Sequence, residues 1–345
     1  MSPQATEERP DFFLSLQILT ERYLSWRKRR KRLKKEKLKN KNIILDWVEA
    51  FLWAVGMVLL INQYLMQAYQ IPSGSMIDTL LIGDRIFVNK IIYGPELLPG
   101  FGKLPSPIHP KRNDIIIFEN PSYIGRGTVF NIAQRIIYML TFAQVDIDRD
   151  EDGEPKPHFL IKRAVGVGGD WFIIEQGNMR IRPGGMGSWY DEGDLFIPRG
   201  MNHNISRLLD DNAYPALRAY GKASAYRDLR LPVPSQVLSY DTQLARIQYP
   251  DSFAIEKARL ELLRGAFPQE SWYSISLARH NQGIYVPETR ILPLGDNRDN
   301  SRDGRHFGPV RTSRILGKGA MIHWPGDFRI MALNFQAFGR FGAIR

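Results

Sequence analysis

Apolar residues along this chain follow three regimes. Between residues 43 and 66 they form a nearly continuous run, uninterrupted from Ala50 to Ile61, with Asp46 and Glu49 near one end and Asn62 and Gln63 near the other. About 20 apolar residues cross a hydrocarbon core, so this stretch predicts one transmembrane helix once those polar positions are accepted at its ends. A buried helix of a soluble protein fits the same pattern. A cleaved targeting peptide fits worse, because more than forty residues precede the run. Ahead of it, residues 11–26 place Phe12, Phe13, Leu16, Ile18, Leu19, Tyr23 and Trp26 as a short helix, either lying in the membrane interface or amphipathic in the cytosol.

Beyond residue 66 the period shortens to that of strands. Residues 84–93 and 113–119 are short, β-branched and bounded by Gly, Pro or Asn. Residues 159–167, 171–175 and 179–182, separated by Gly168-Gly169-Asp170 and Gln176-Gly177-Asn178, predict a β-meander. Strands return at 283–294 and 317–324, which requires a core closed by pairing distant segments. Helical stripes interrupt at 130–142 and 253–267. Residues 183–250, rich in Gly, Pro, Asn and Asp, predict either an excursion from the core or a second subdomain. The expected fold is mainly β: an antiparallel β-sheet core over 67–170 and 284–345, an inserted α+β subdomain over 171–283, one transmembrane helix over 43–66 and a basic segment over 1–42.

With 345 residues and 43% hydrophobic content, the chain can bury a substantial core. It has no cysteine, which excludes disulfides, thiolate metal sites and a cysteine nucleophile. The net charge of +11 is local: residues 27–41 hold eleven Lys/Arg and one Glu, and the remainder is near neutral. A basic run directly before an apolar span sets orientation and attracts anionic headgroups. This places residues 1–42 in the cytoplasm and the bulk of the chain outside it. A solvated charge run without a partner, or a nucleic-acid contact testable by salt-sensitive binding of residues 1–43 alone, are the competing readings, and no nucleic-acid partner is expected. Asp148-Arg149-Asp150-Glu151-Asp152-Gly153 matches the first half of a calcium loop. Phe159 occupies the twelfth position and Pro155 and Pro157 block the exiting helix, so an acidic surface loop is expected there.

The candidate chemistry lies in Ile71-Pro72-Ser73-Gly74-Ser75-Met76. Ser75 is nine residues past Met66, a reach of at most ~30 Å, so its chemistry is confined to a membrane surface. Lys162 alternates along its predicted strand with Leu160 and Ala164 and shares their face. Desolvation there lowers an amine pKa and supplies the general base a serine hydroxyl needs. Taken singly, a strand lysine is usually solvated and a Ser-Gly turn is usually only a turn. The third element is Gly295-Asp296-Asn297-Arg298-Asp299-Asn300-Ser301 with Asp303 and Arg305, whose density of short polar and charged residues would ordinarily mark a solvent loop.

In the order Ser75, Lys162, Ser301, the chain resembles bacterial type I signal peptidases, membrane-bound serine endopeptidases with a Ser-Lys dyad. The likeness covers the apolar span and residues 71–90, 112–119, 159–170 and 292–324; residues 171–290 and the first 43 lie outside it. The resemblance implies Ser75 as nucleophile and Lys162 as general base. It implies an oxyanion hole of the Ser73 hydroxyl and the Ser75 amide, and Ser301 orienting the lysine amine through a hydrogen bond. Asp303 and Arg305 would pair behind Ser301, and Asp296 would hold the loop. It further implies signal-peptide-bearing precursors as substrates, an anionic membrane as surroundings, and neither metal nor organic cofactor. The chain departs from the family pattern at Asp78, where proline is usual, at Gly168-Gly169-Asp170 for Pro-Gly-Asp, and at Asp303-Gly304-Arg305 for Asp-Ser-Arg. Two other functions stay open: a Ser-Lys peptidase that cleaves itself or a dedicated partner, and a noncatalytic membrane-tethered binding protein.

Overall fold

A computed structural model of the chain describes residues 12–39, 43–98, 101–141, 144–149, 153, 156–201, 205–207, 209–248, 250–325 and 342–344. The chain divides into two compact units, 1–57 and 58–345. In the first, the expected short helix is longer than its apolar pattern: Phe12–Lys39 carries the helix through the basic run. The helix Ile43–Leu60 follows and buries none of its residues. Trp47 and Trp53 are each more than two-thirds exposed. Such exposed apolar side chains suit a segment whose solvent is lipid. From Ile43 to Leu65 the chain is long and apolar enough to cross a membrane.

The second unit begins inside the run that reads as membrane-spanning. Ile61–Leu65 is a single π-helical turn with Asn62 and Gln63 buried, and Met66 opens a strand, Met66–Gln70. Gln63 donates to the Glu96 carbonyl at 2.9 Å. Gln63, near the outer end of the apolar span, is thus also tied to the folded unit. The main sheet is antiparallel throughout. From edge to edge it runs Met66–Gln70, Arg85–Asn89, Ile315–Trp324, Ile115–Glu119, Phe159–Gly166, Arg290–Leu294 and Val310–Arg311, with Gly342–Ala343 added alongside Ile315–Trp324. Strands far apart in sequence close it, as expected. In Ile115–Glu119, Ile115 and Ile117 enter one apolar cluster while Ile116 and Phe118 enter another. A strand covered on both faces reads as a continuous apolar run. Lys162 pairs across from Ile116, which puts it on the face of Ile116 and Ala164.

The expected meander does not form as one unit. Phe159–Gly166 stays in the main sheet, whereas Trp171–Glu175 and Asn178–Arg182 belong to a second sheet, ordered Ile284–Tyr285, Trp171–Glu175, Asn178–Arg182, Tyr190–Asp191. Gly168-Gly169-Asp170 redirects the chain because Asp170 is gripped from three sides: it accepts from Arg112 at 2.8 Å, from the Val167 amide at 2.7 Å and from the Gly184 amide at 3.1 Å. Residues 283–294 divide in the same way, Ile284–Tyr285 in the second sheet and Arg290–Leu294 in the first. The two sheets share one core, in which Phe172 and Ile181 pack with Val165, Leu292 and Leu294.

The expected helices form as Thr128–Leu140 and Ser252–Ala266, the latter capped by Asp251, which accepts from the Phe253 and Ala254 amides. Within residues 183–250, Tyr214–Asp228 is a 15-residue helix with Ala216, Ala219 and Ala223 buried. At Gly221 a Cβ would lie 2.3 Å from the Ile255 carbonyl, so that helix packs directly on Ser252–Ala266. The acidic loop is also revised at its first residue. Asp148 is fully buried, accepting from Tyr123 at 2.7 Å and pairing with Arg126 at 2.9 Å, while 150–152 lie outside the described residues.

Gly166 sits where the sheets meet. A Cβ there would come within 2.5 Å of the Phe172 ring and 2.8 Å of Leu292 Cβ. Gly166→Ala should destabilise the protein by about 1–3 kcal/mol, the range for overpacking a filled core, measured as a lower urea midpoint with unchanged slope.

Candidate active site

The strand Met66–Gln70 delivers the chain into a short 3-10 turn, Gly74–Met76, all three residues buried. On strand Phe159–Gly166, which lies in the main sheet between Ile115–Glu119 and Arg290–Leu294, Lys162 is 3% exposed. Its Nζ lies 2.6 Å from Ser75 Oγ and 3.1 Å from the Ile161 carbonyl. Ser73 Oγ is 3.4 Å from Ser75 Oγ. Burial pushes the Lys162 amine down to about 8; Asp303 and Asp296 oppose that shift and Arg305 reinforces it. Desolvation therefore wins over the nearby carboxylates. A substantial neutral fraction near physiological pH, in contact with a hydroxyl, is the arrangement that permits proton transfer and nucleophilic attack.

The segment from Gly295 to Arg305 is not a solvent loop. Asp296, Asn297, Arg298, Asp299, Ser301, Asp303 and Arg305 are all buried. Asn297 grips the serine turn directly: its amide donates to the Ser75 carbonyl at 3.1 Å and its Nδ2 to the Gly74 carbonyl at 3.1 Å. Asp296 accepts two bonds from Arg163, at 2.8 and 2.6 Å, and one from Thr79 Oγ1 at 2.6 Å. Asp303 accepts from Arg305 Nε at 2.9 Å and from the Gly295 amide at 3.0 Å. Gly295 has no room for a side chain, since a Cβ would lie 2.3 Å from Ser301 Oγ and 2.5 Å from the Ser75 carbonyl. Ser301 Oγ is buried beside Asp303, near enough to help lower that acid's pKa, yet it makes no aligned hydrogen bond and none to the Lys162 amine. Asp78 is exposed two residues beyond the turn.

The family model for "Signal peptidase, peptidase S26" matches residues 44–324, most of the chain. The chain belongs to the signal peptidase, peptidase S26 family. A protein called signal peptidase I from Pseudomonas fluorescens is 37% identical over 317 residues, covering 88% of this chain and 81% of that one. Those of the same name from Aquifex aeolicus and Pseudomonas aeruginosa are 27% and 24% identical. They cover 81% and 90% of this chain and 83% and 82% of their own.

Within this family member, Ser73, Ser75, Lys162, Asp296, Ser301, Asp303 and Arg305 are brought to one place. Sequence reasoning missed Thr79, Arg163 and Asn297, which hold the serine turn and the loop together. Arg163 carried a usable signal: it adjoins Lys162 on a strand otherwise apolar on both faces, where an arginine requires a carboxylate partner. Asn297 carried none, because its amide and side chain act on carbonyls far away in sequence.

Burial alone would raise the Asp303 carboxyl, but its pairing with Arg305 holds it down at about 2, from an ordinary 3.8. The pair's contribution to stability is therefore complete above pH ~4 and is lost as pH falls through about 2. Asp303→Ala, which leaves Arg305 buried without its carboxylate, should cost about 3–5 kcal/mol at neutral pH. It should also flatten the acid limb of a stability-against-pH curve obtained by denaturant titration.

Proposed function

We propose that this chain is a type I signal peptidase, a serine endopeptidase that removes signal peptides from secreted precursors, with Ser75 as nucleophile and Lys162 as general base. The observation that carries the reading is the 2.6 Å contact between a desolvated amine and a buried serine hydroxyl. The family membership gives that contact a reaction. Neutral Lys162 takes the proton of Ser75 Oγ as Oγ bonds to the scissile carbonyl carbon. The carbonyl electrons move onto oxygen, where the Ser73 hydroxyl and the Ser75 amide donate to the oxyanion. The lysine ammonium passes its proton to the leaving amine and an acyl-serine remains. Water, deprotonated by the same amine, attacks the ester and frees Ser75. Asp296, Ser301, Asp303 and Arg305 support the two residues without moving protons.

The precursor enters extended, its main chain adding a strand beside the sheet, and shallow pockets admit the small residues of an Ala-x-Ala cleavage site. The membrane setting follows from the apolar helix. The basic run keeps residues 1–42 in the cytoplasm, against anionic lipid, so that a single pass places the catalytic unit on the outer face. Sharing one plane with the substrate raises its effective concentration.

Cleavage of a precursor by the detergent-solubilised protein, with N-terminal sequencing of the product, tests the reading. Ser75→Ala and Lys162→Met should each lose at least ~1,000-fold in kcat/KM, as members of a catalytic unit do. Unchanged processing by either removes the dyad. A precursor supplied in trans separates general processing from self-cleavage, and a noncatalytic tether would cut neither. The wild-type rate should climb with pH and level off above about 8 as the amine loses its proton. The same depressed pKa means that the folded state holds the lysine ammonium at a disadvantage at every pH below about 8, a disadvantage relieved as pH rises toward the ordinary 10.5. Lys162→Met, inactive, should therefore be at least as stable as wild type in thermal melts at pH 7.

A further inference from the structure

The inserted segment carries two charged side chains that reach into the catalytic loop. Arg298 is 3% exposed and meets Glu192 in a bidentate pair, both bonds 2.6 Å. Glu192 is itself 5% exposed and stands at the start of the short helix Glu192–Phe196, whose Leu195 and Phe196 are anchored in the shared core. Next to Arg298, Asp299 accepts from Arg207 Nε at 3.1 Å and from the Leu209 amide at 2.9 Å. Arg207 is held in turn by the Tyr214 hydroxyl at 2.7 Å, Asn178 Oδ1 at 3.1 Å and the Gln176 carbonyl at 3.2 Å. Between these two ion pairs the backbone of Ser206 lies along the loop. Its amide donates to the Asp296 carbonyl at 2.9 Å and its carbonyl accepts from the Arg298 amide at 3.2 Å.

These contacts flank one residue. Asn297 lies between Asp296 and Arg298, forms a parallel bridge with Ser206, and on its other side holds the carbonyls of Gly74 and Ser75. A bidentate Arg-carboxylate pair fixes direction as well as distance, and a buried one broken on one side leaves a charge that must find new surroundings. The insertion thus fixes the loop from behind, and the loop fixes the serine turn from in front.

We infer that Glu192 and Arg207 are positioning residues of the peptidase reaction, acting through Arg298, Asp299 and Asn297 to set Ser75 Oγ against Lys162. This rests on the dyad reading above and gives the inserted segment a role in it. Neither side chain touches the reacting atoms. Their effect belongs on kcat, since the precursor still binds while the hydroxyl is misaligned.

The test uses the full chain in detergent with a signal-peptide-bearing precursor, measuring kcat, KM and Tm for Glu192→Ala, Glu192→Gln, Arg207→Gln and Leu195→Ala. Glu192→Ala should lower kcat ~10–100-fold, the scale of an ångström-sized misplacement, with KM within about threefold. Glu192→Gln, which keeps the shape and one acceptor, should fall between Ala and wild type. Arg207→Gln should lose kcat in the same direction. If Glu192→Ala is too unstable to assay, the Gln variants at 192 and 207 decide. Leu195→Ala removes a core side chain from the same helix without touching the ion pair. It should lower Tm yet keep kcat within about twofold, a split that a merely structural role for Glu192 would not give. A loss of kcat in Leu195→Ala equal to that in Glu192→Ala at a matched fall in Tm overturns the inference. So does wild-type kcat in all variants at 192 and 207 while Ser75→Ala and Lys162→Met are dead. If Ser75→Ala or Lys162→Met still processes precursor, the dyad itself fails and this inference falls with it.

Discussion

The structure turns on keeping one amine out of water. Lys162 gains a contact to Ser75 Oγ, but burial works against its ammonium form, and two carboxylates within electrostatic range would restore that form if they were free. They are not free. Asp296 is committed to Arg163 and Thr79, and Asp303 to Arg305 and the Gly295 amide. Pairing them elsewhere leaves desolvation as the dominant influence on the lysine. The ion pairs behind the site therefore set its proton affinity as well as its shape.

That requirement explains why a loop so rich in charge is also so deeply buried. Each buried ion needs a partner of good geometry, and a mismatch of one partner is expensive. The partners come from three places: Arg163 from a central strand, Asp303 and Arg305 from the loop itself, and Glu192 and Arg207 from the insertion. A loop pinned from three directions has little freedom to carry the serine turn away from the lysine.

What the sequence reveals, and what it hides, follows from the same logic. Lys162 was legible because alternation along a strand is a local property, and the helix Ser252–Ala266 because its stripe is made of large apolar residues. Helix Tyr214–Asp228 was not, since its buried positions are mostly alanine and a glycine, which register weakly in any hydrophobic pattern. The loop 295–305 reads as polar and hence exposed; only partners distant in sequence make its burial tolerable. The meander failed for a related reason. Nothing in Gly168-Gly169-Asp170 announces that Arg112 will hold the aspartate and turn the chain into another sheet. Gln63 reads as a polar end of the span, and nothing local announces its bond to the Glu96 carbonyl.

The way the insertion leaves and rejoins the main body has an evolutionary corollary. Trp171 lies directly beside Tyr285, and Phe172 beside Ile284, so the excursion begins and ends at neighbouring rungs of one ladder. A detour whose two ends are already stapled together can lengthen or shorten at its far tip for little additional closure entropy. Natural drift in size should therefore accumulate among the outer helices, while Glu192, Ser206, Arg207 and Leu209, which reach back to the loop, keep their spacing from the staple.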